Sequence, residues 1–297
     1  MTSPTDVLKN LLDLTEPGAQ THETISVGHT PKVGPARVYG GQVLGQAVVA
    51  AQRTVADDRP IHSLHGYFLR PGDPQKPITY GVAELRDGRS FSARRVNAYQ
   101  DGKPILSMSA SFQTPGSGPL FQDTMPEGVP APEDVPTLDE ELAHIDHPLK
   151  DMVTKYRPFD LRYPGGSLYV QPAEPPERHL VWMKTRADLP DDPLLHRAAL
   201  AFASDFTQVE TALRRMGVSW VGLDRLGASY ASLDHSMWWH RDARVDEWLL
   251  FDHHATTAQD GRSLIRSSIF NRDGQLVASV VQEAMIRLPE DQEYPLA

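Results

Sequence analysis

The order of elements written into this chain occurs twice, and that duplication constrains the fold more than any other feature. Residues 39–54, YGGQVLGQAVVAAQRT, are apolar nearly all round, which predicts a helix buried on most sides. Short strand-like runs follow at 63–69, 78–85, 90–100 and 105–113, divided by turns. Asp87-Gly88 and Asp101-Gly102 lie in those turns, and Asp-Gly is the strongest short hairpin signal. The second half repeats the order with a helix over 192–217, then strands at 228–240, 247–256, 263–271 and 276–288. Asp260-Gly261-Arg262-Ser263 echoes Asp87-Gly88-Arg89-Ser90, and Asp273-Gly274 echoes Asp101-Gly102. His235 stands before Trp238-Trp239 as His65 stands before Tyr67-Phe68. The expectation is an α+β protein built from two diverged copies of one helix-plus-sheet unit.

The copies span residues 1–114 and 158–297. Between them, 115–157 is rich in proline and acid and has no usable period, which predicts a linker lying over the surface. Residues 6–14 predict a short amphipathic bracing helix, and 158–182 mix strand and turn character.

Helix 192–217 carries the most informative irregularity. Asp192 suits the cap and Pro193 the first helical position. Leu195, Ala199, Phe202, Phe206, Val209 and Leu213 form one apolar stripe, and Gly217 offers a left-handed stop. Asp205 borders that buried face. A carboxylate there loses hydration unless something binds it. Three readings stay open for it: a structural hydrogen bond, a wet groove, or a catalytic acid or base.

Composition excludes several functions. A formal charge of −10 argues against nucleic acid or an anionic membrane as the main partner, although a local basic patch can still hold a small anion. With no cysteine there is no disulfide, thiolate metal site or cysteine nucleophile. The start, MTSPTDVLKNLL, lacks the form of a signal peptide, and no apolar run approaches a membrane span. A soluble cytoplasmic protein is expected.

Strand alternation then sorts the remaining polar residues. Asp234-His235-Ser236 invites a serine-hydrolase triad, but consecutive strand residues face opposite ways. Asp252-His253-His254 is split by the same alternation and reads as an exposed strand end rather than a metal site. Gln282 interrupts the apolar face Leu276, Ala278, Val280, Ala284 and Ile286, and a buried amide must find partners. Ser232 shares a strand face with Asp234. Asp205, Ser232 and Gln282 together form a small polar island. Gly40, Gly41 and Gly45 weaken the first helix, which suggests close packing against a sheet or bare N–H groups near a ligand.

Several of these stretches resemble the type II acyl-CoA thioesterases, a family with a double hot-dog fold. The likeness rests on YGGQVLGQAVVAA from Tyr39, SLHGYFLRPGD from Ser63 and RDGRSFSARRVNAYQDGKPI from Arg86. It continues with AFASDF from Ala201, SLDHSMWWHR from Ser232, DEWLLF from Asp246 and VASVVQEAMIR from Val277. The resemblance implies two units, each a long helix wrapped by a curved antiparallel sheet, joined edge to edge. It implies hydrolysis of fatty acyl-CoA to free acid and CoA, with no metal or prosthetic group. It places the family's aspartate on Asp205, its threonine or serine on Ser232 and its glutamine on Gln282.

Further substrate contacts are expected at Tyr39, Gly40, Gly41, His65, Arg94 and Arg95. Gly40 or Gly41 would supply oxyanion donors, and Arg94 or Arg95 would either meet the CoA phosphates or lie on a solvated strand face. For His65 a structural role is favoured, because the repeat sets His235 at the matching site. Two rival functions remain: a non-catalytic acyl-CoA binder, and an enoyl-CoA hydratase. The hydratase needs a histidine after Asp205 on the helix, where none occurs. Exposed sheet edges predict a homo-oligomer.

Overall fold

A computed structural model describes residues 3–15, 23–31, 37–144, 150, 157–167, 169, 177–220, 223 and 227–289. The end of the expected linker and part of 158–182 lie outside the described residues. The first half runs α1 (Pro4–Leu12), β1 (Thr24–Gly28), α2 (Gly40–Gln52), β2 (Ile61–Phe68), β3 (Ile78–Asp87), β4 (Phe91–Gln100) and β5 (Lys103–Gln113). After a short α3 (Leu138–Glu141) come β6 (Phe159–Arg162), β7 (Arg178–Thr185), α4 (Pro193–Ser204) and α5 (Gln208–Arg215). The chain closes with β8 (Ser229–Ser232), β9 (Asp234–Trp239), β10 (Leu249–Gln259), β11 (Arg262–Asn271) and β12 (Leu276–Arg287).

All strands join one antiparallel sheet in the order β1-β3-β4-β5-β2-β9-β12-β11-β10-β7-β6, with β8 also on β12. The halves meet at the seam between β2 and β9, from Ser63 opposite Trp238 to Tyr67 opposite Asp234. The sheet wraps α2 and α4. Helix α2 has no polar face because it needs none: Gly41 to Gln52 are all buried. Gly41 lies against Phe202 and Gly45 against Ala198, so α2 and α4 run in opposite senses with their backbones close. Gly45 therefore serves contact with a helix, not with a sheet. One core cluster, running from Leu8 to Val280, draws on both halves.

Residues 114–131 form no helix or strand and cross the outer face of the second half. There Met125 and Val129 pack on Trp182, Trp248 and Phe270, and Trp182 Nε1 donates to Pro130 O at 3.0 Å.

Four departures from the sequence expectations concern the elements and their turns. The helix over 192–217 is two helices, parted at residues 205–207. The strand over 228–240 is also two, parted at Leu233. Strand β1, which the sequence did not suggest, edges the sheet beside β3. The turn echo is shifted as well. Asp260-Gly261 has both residues at positive φ, 52° and 71°, like Asp101-Gly102 at 50° and 73°, whereas Asp87-Gly88 opens a longer turn. Such two-residue turns need φ > 0 at both positions, which Asp tolerates and Gly favours.

Candidate active site

The break in the 192–217 helix places the carboxylate. Asp205 caps the end of α4 with φ −89° and ψ −9°, and the chain restarts as α5 three residues later. Gly40 and Gly41 let the start of α2 come up against this point. A Cβ on Gly40 would stand 2.8 Å from Asp205 Oδ2, and one on Gly41 would collide with the Phe202 carbonyl. Gly41 N–H donates to Asp205 Oδ2 at 2.9 Å, so the positive end of α2 faces the carboxylate. Tyr39, just before α2, donates its hydroxyl to Phe202 O at 2.9 Å and stacks on Phe206 at 4.8 Å. Desolvation, and then the neighbouring Asp205, push its phenol well up, so it stays a neutral donor.

Strand β12 brings Gln282 in from the other side. Its Nε2 donates to Asp205 Oδ1 at 3.0 Å and to Ser232 Oγ at 2.8 Å, and Ser232 Oγ donates to Asp205 Oδ1 at 3.3 Å. The three side chains close a triangle.

Ser232 reaches it through a bulge. Ser232 sits opposite Ala284 and Ser236 opposite Val281, so four steps along β8–β9 match three along β12. The extra residue at Leu233 turns Ser232 to the helix side, as bulges beside active sites do. Strict alternation had put Ser232 on the face of Asp234. The bulge corrects that.

Asp205 is 8 % exposed, and burial raises its pKa to about 6. The hydrogen bonds from Gln282, Gly41 and Ser232 pull the other way without winning. The result is a carboxylate that is ionised at neutral pH and basic enough to take a proton from water.

The other expected contacts fare differently. Arg94 is buried, with its guanidinium spent on Thr54 Oγ1, Thr54 O and Asp87, so it is a structural residue and not a phosphate ligand. Arg95 and His65 lie on the solvent side of the sheet, away from the face that carries Gln282. His65 does not match His235. It is exposed, bonded to Ser236 Oγ at 3.1 Å across the seam and edge-on to Trp238, whereas His235 points into the core. Nor is 252–254 an exposed strand end: His253 is fully buried between Thr207 Oγ1 and Ser267 Oγ. Sequence reasoning missed two residues behind Gln282, namely His235 and Ser204. Gln282 Oε1 meets His235 Nδ1, and His235 Nε2 lies 2.9 Å from Ser204 Oγ.

The sequence matches family models described as the acyl-CoA thioesterase N-terminal domain over residues 28–113 and the acyl-CoA thioesterase C-terminal domain over residues 126–286. The chain belongs to the acyl-CoA thioesterase family. The thioesterase is 37 % identical over 289 residues to Acyl-CoA thioesterase 2 of Haemophilus influenzae, spanning 96 % of this chain and 99 % of that one. It is 37 % identical over 272 residues to mouse acyl-coenzyme A thioesterase 8, spanning 85 % and 81 %. Among solved structures it resembles the acyl-CoA thioesterase II TesB2 of Mycobacterium marinum, with TM-score 0.74, 38 % identity and 96 % and 99 % coverage. A hot-dog protein of Alicyclobacillus acidocaldarius shares the fold at 20 % identity and TM-score 0.73, over 95 % and 98 % of the two chains. The thioesterase thus has the hot-dog architecture, and as a thioester hydrolase it must bring water to an acyl carbonyl.

Proposed function

We propose that this thioesterase hydrolyses fatty acyl-CoA to free acid and CoA through a water held by Asp205, Ser232 and Gln282. The observation that carries the reading is the closed triangle of these side chains around a buried carboxylate with a pKa of about 6. A water lodged there donates one proton to Asp205 and the other to Ser232 Oγ, and Gln282 fixes both of these partners. Asp205 takes that proton as the water oxygen attacks the thioester carbonyl, and the C–S bond breaks as the tetrahedral intermediate collapses. The proton on Asp205 then passes to the departing CoA thiolate. Positioning supplies much of the rate, because the partners of the water are fixed beforehand.

Gly41 N–H is engaged by Asp205, which leaves Gly40 N–H, at the first turn of α2, as the oxyanion donor we favour. Tyr39 and Phe206 form an aromatic wall beside it. The step needs no cofactor. Ser232 orients water rather than forming an acyl-enzyme, since no histidine among the described residues is bonded to it.

We further read the thioesterase as a cytoplasmic enzyme of lipid metabolism and a homo-oligomer; the sheet ends in β6 on one side and in β1, bridged at Val27 by Thr15, on the other. No helix among the described residues is long and apolar enough to cross a membrane.

The test is free-thiol release from a panel of acyl-CoAs, comparing wild type, Asp205→Asn and Ser232→Ala. Turnover that collapses in both variants while acyl-CoA still binds supports the mechanism. A trapped acyl group on Ser232 would replace the water route with a covalent one. Saturable binding with no thiol release on any chain length would make the chain a binder.

A further inference from the structure

The face of Gln282 turned away from Asp205 decides how that side chain works. A primary amide offers two donors on nitrogen and an acceptor on oxygen, and its two ends are almost the same shape. In this site the nitrogen end is fully used, on Asp205 and on Ser232. The oxygen end meets His235 Nδ1, and His235 Nε2 meets Ser204 Oγ at 2.9 Å. Ala201 O, inside the last turn of α4, is a second acceptor for the single Ser204 hydrogen at 2.9 Å. Gln282, His235 and Ser204 are all fully buried, so no solvent can substitute for a missing partner.

With the Gln282 nitrogen on Asp205 and Ser232, the donor directions close in one way. Gln282 Oε1 can only accept, so His235 Nδ1 must carry the hydrogen. In a neutral imidazole Nε2 then accepts, and Ser204 Oγ turns its single hydrogen to Nε2 rather than to Ala201 O. Burial holds the imidazole neutral, with its pKa drawn down to about 4. In the opposite arrangement Gln282 Oε1 would face the carboxylate of Asp205, acceptor against acceptor.

We infer that His235, backed by Ser204, is a positioning residue: it locks the Gln282 amide so that its NH2 faces Asp205 and Ser232, the two groups that hold the attacking water. This rests on the Asp205, Ser232 and Gln282 mechanism proposed above. His235 touches neither water nor substrate. It acts through Gln282, and it lies next to Asp234 and Ser236 in sequence only because the strand passes there. The groups that face Asp205 are Gly41 N–H from α2, Ser232 from β8, Gln282 from β12 and the neutral phenol of Tyr39.

The test compares His235→Leu, which keeps bulk and loses the donor, with His235→Asn, whose side-chain nitrogen can sit near the Nδ1 position. His235→Leu should lower kcat by about 10- to 100-fold with KM almost unchanged, the size of effect that a misplaced group produces. The Asp205 carboxyl, followed by carbon-13 NMR across pH, should titrate about one unit higher, because a donor to its charged form is lost. His235→Asn should restore most of both. In a Gln282→Ala background, His235→Leu should cost nothing more.

Should His235→Leu fail to fold, Ser204→Ala carries the same test. Without the hydroxyl at Nε2 the imidazole is free to take its other tautomer, and both changes are expected again. Wild-type kcat and titration in the folded variant, or an equal loss with Gln282 already removed, would overturn the positioning role. That failure is distinguishable from failure of the site itself. A wild type that releases no thiol, or an Asp205→Asn variant as active as wild type, removes the catalytic reading. A wild-type-like His235 variant beside an inactive Asp205→Asn removes only the inference about His235.

Discussion

At the scale of single residues, Asp205 carries both the proposed chemistry and a cost in stability. Three donors stabilise its charged form, and burial still outweighs them. The proposed mechanism needs the ionised form, so kcat/KM should fall as pH drops through about 6 with the slope of one proton. Ser232→Ala removes a donor to the carboxylate and should move that limb upward. A limb near the ordinary value of 3.8 would show that Asp205 is not the base. The same shift bears on stability. A carboxyl with a raised folded pKa binds its proton more tightly when folded, so stability is lost as pH rises from 3.8 to about 6. The stability difference between Asp205→Asn and wild type should therefore move in favour of the variant by about 3 kcal/mol between pH 3.5 and 7.5. Denaturant titrations at the two pH values measure it, and an unchanged difference would deny the shift. Asp205 and Gln282 were legible in the sequence because each breaks an apolar pattern. His235 and Ser204 were not, because their partners stand 47 and 31 residues away and no local period records such a pair.

At the scale of elements, what positions the site is the meeting of two helix ends and one bulged strand. The apolar spacing from Leu195 to Leu213 runs straight through the break at 205–207, so a period count reads one helix where the chain makes two. The bulge at Leu233 was hidden for the same reason: both sides of it alternate correctly, and only the pairing with β12 reveals the extra residue. The glycines of α2 were legible as close-approach positions, but their partner was not. Gly45→Ala would gain helix propensity, about 1 kcal/mol, while its Cβ would stand 3.0 Å from the Ala198 carbonyl and from Leu12. The carbonyl belongs to the backbone of α4 and cannot step aside. The expected net effect is a loss of about 1–2 kcal/mol with activity retained. Gly41→Ala should destabilise as well, and should also lower kcat by 10-fold or more, in the range of about 10- to 100-fold, because its amide is drawn off Asp205. Thermal melts and thiol release on the two variants separate these effects. A Gly45→Ala protein more stable than wild type would show that α2 and α4 are not held as closely as the contact implies.

At the scale of the whole molecule, the duplication was legible because order and turn chemistry are local, whereas the joint between the copies is not. Nothing in residues 63–67 or 234–238 announces that they pair across the seam. That joint nevertheless decides how the protein unfolds. One sheet spans both copies, and one core cluster draws on α1, α2, α4 and strands from each. Neither copy can lose its structure without exposing apolar surface of the other, so the two repeats should unfold together. The acid side gives the sharpest probe. His235, beside the seam, and His253, under α5 in the second copy, are buried neutral, with pKa values lowered from 6.5 to about 4 and about 3 by burial. A histidine with a depressed folded pKa contributes stability above 6.5 that is lost as pH falls toward the folded value, because the unfolded chain takes up the proton first. Between pH 6.5 and 4 the two together should remove several kcal/mol, against which the rise from Asp205 is smaller. Urea unfolding followed by tryptophan fluorescence and by far-ultraviolet circular dichroism should show one coincident transition at pH 7. Its midpoint should fall steeply below pH 6.5. In His253→Asn part of that pH dependence should vanish while the transition stays single. Two separable transitions, or a variant in which only one copy melts early, would mean that the seam is a contact between independent units rather than the middle of one cooperative fold.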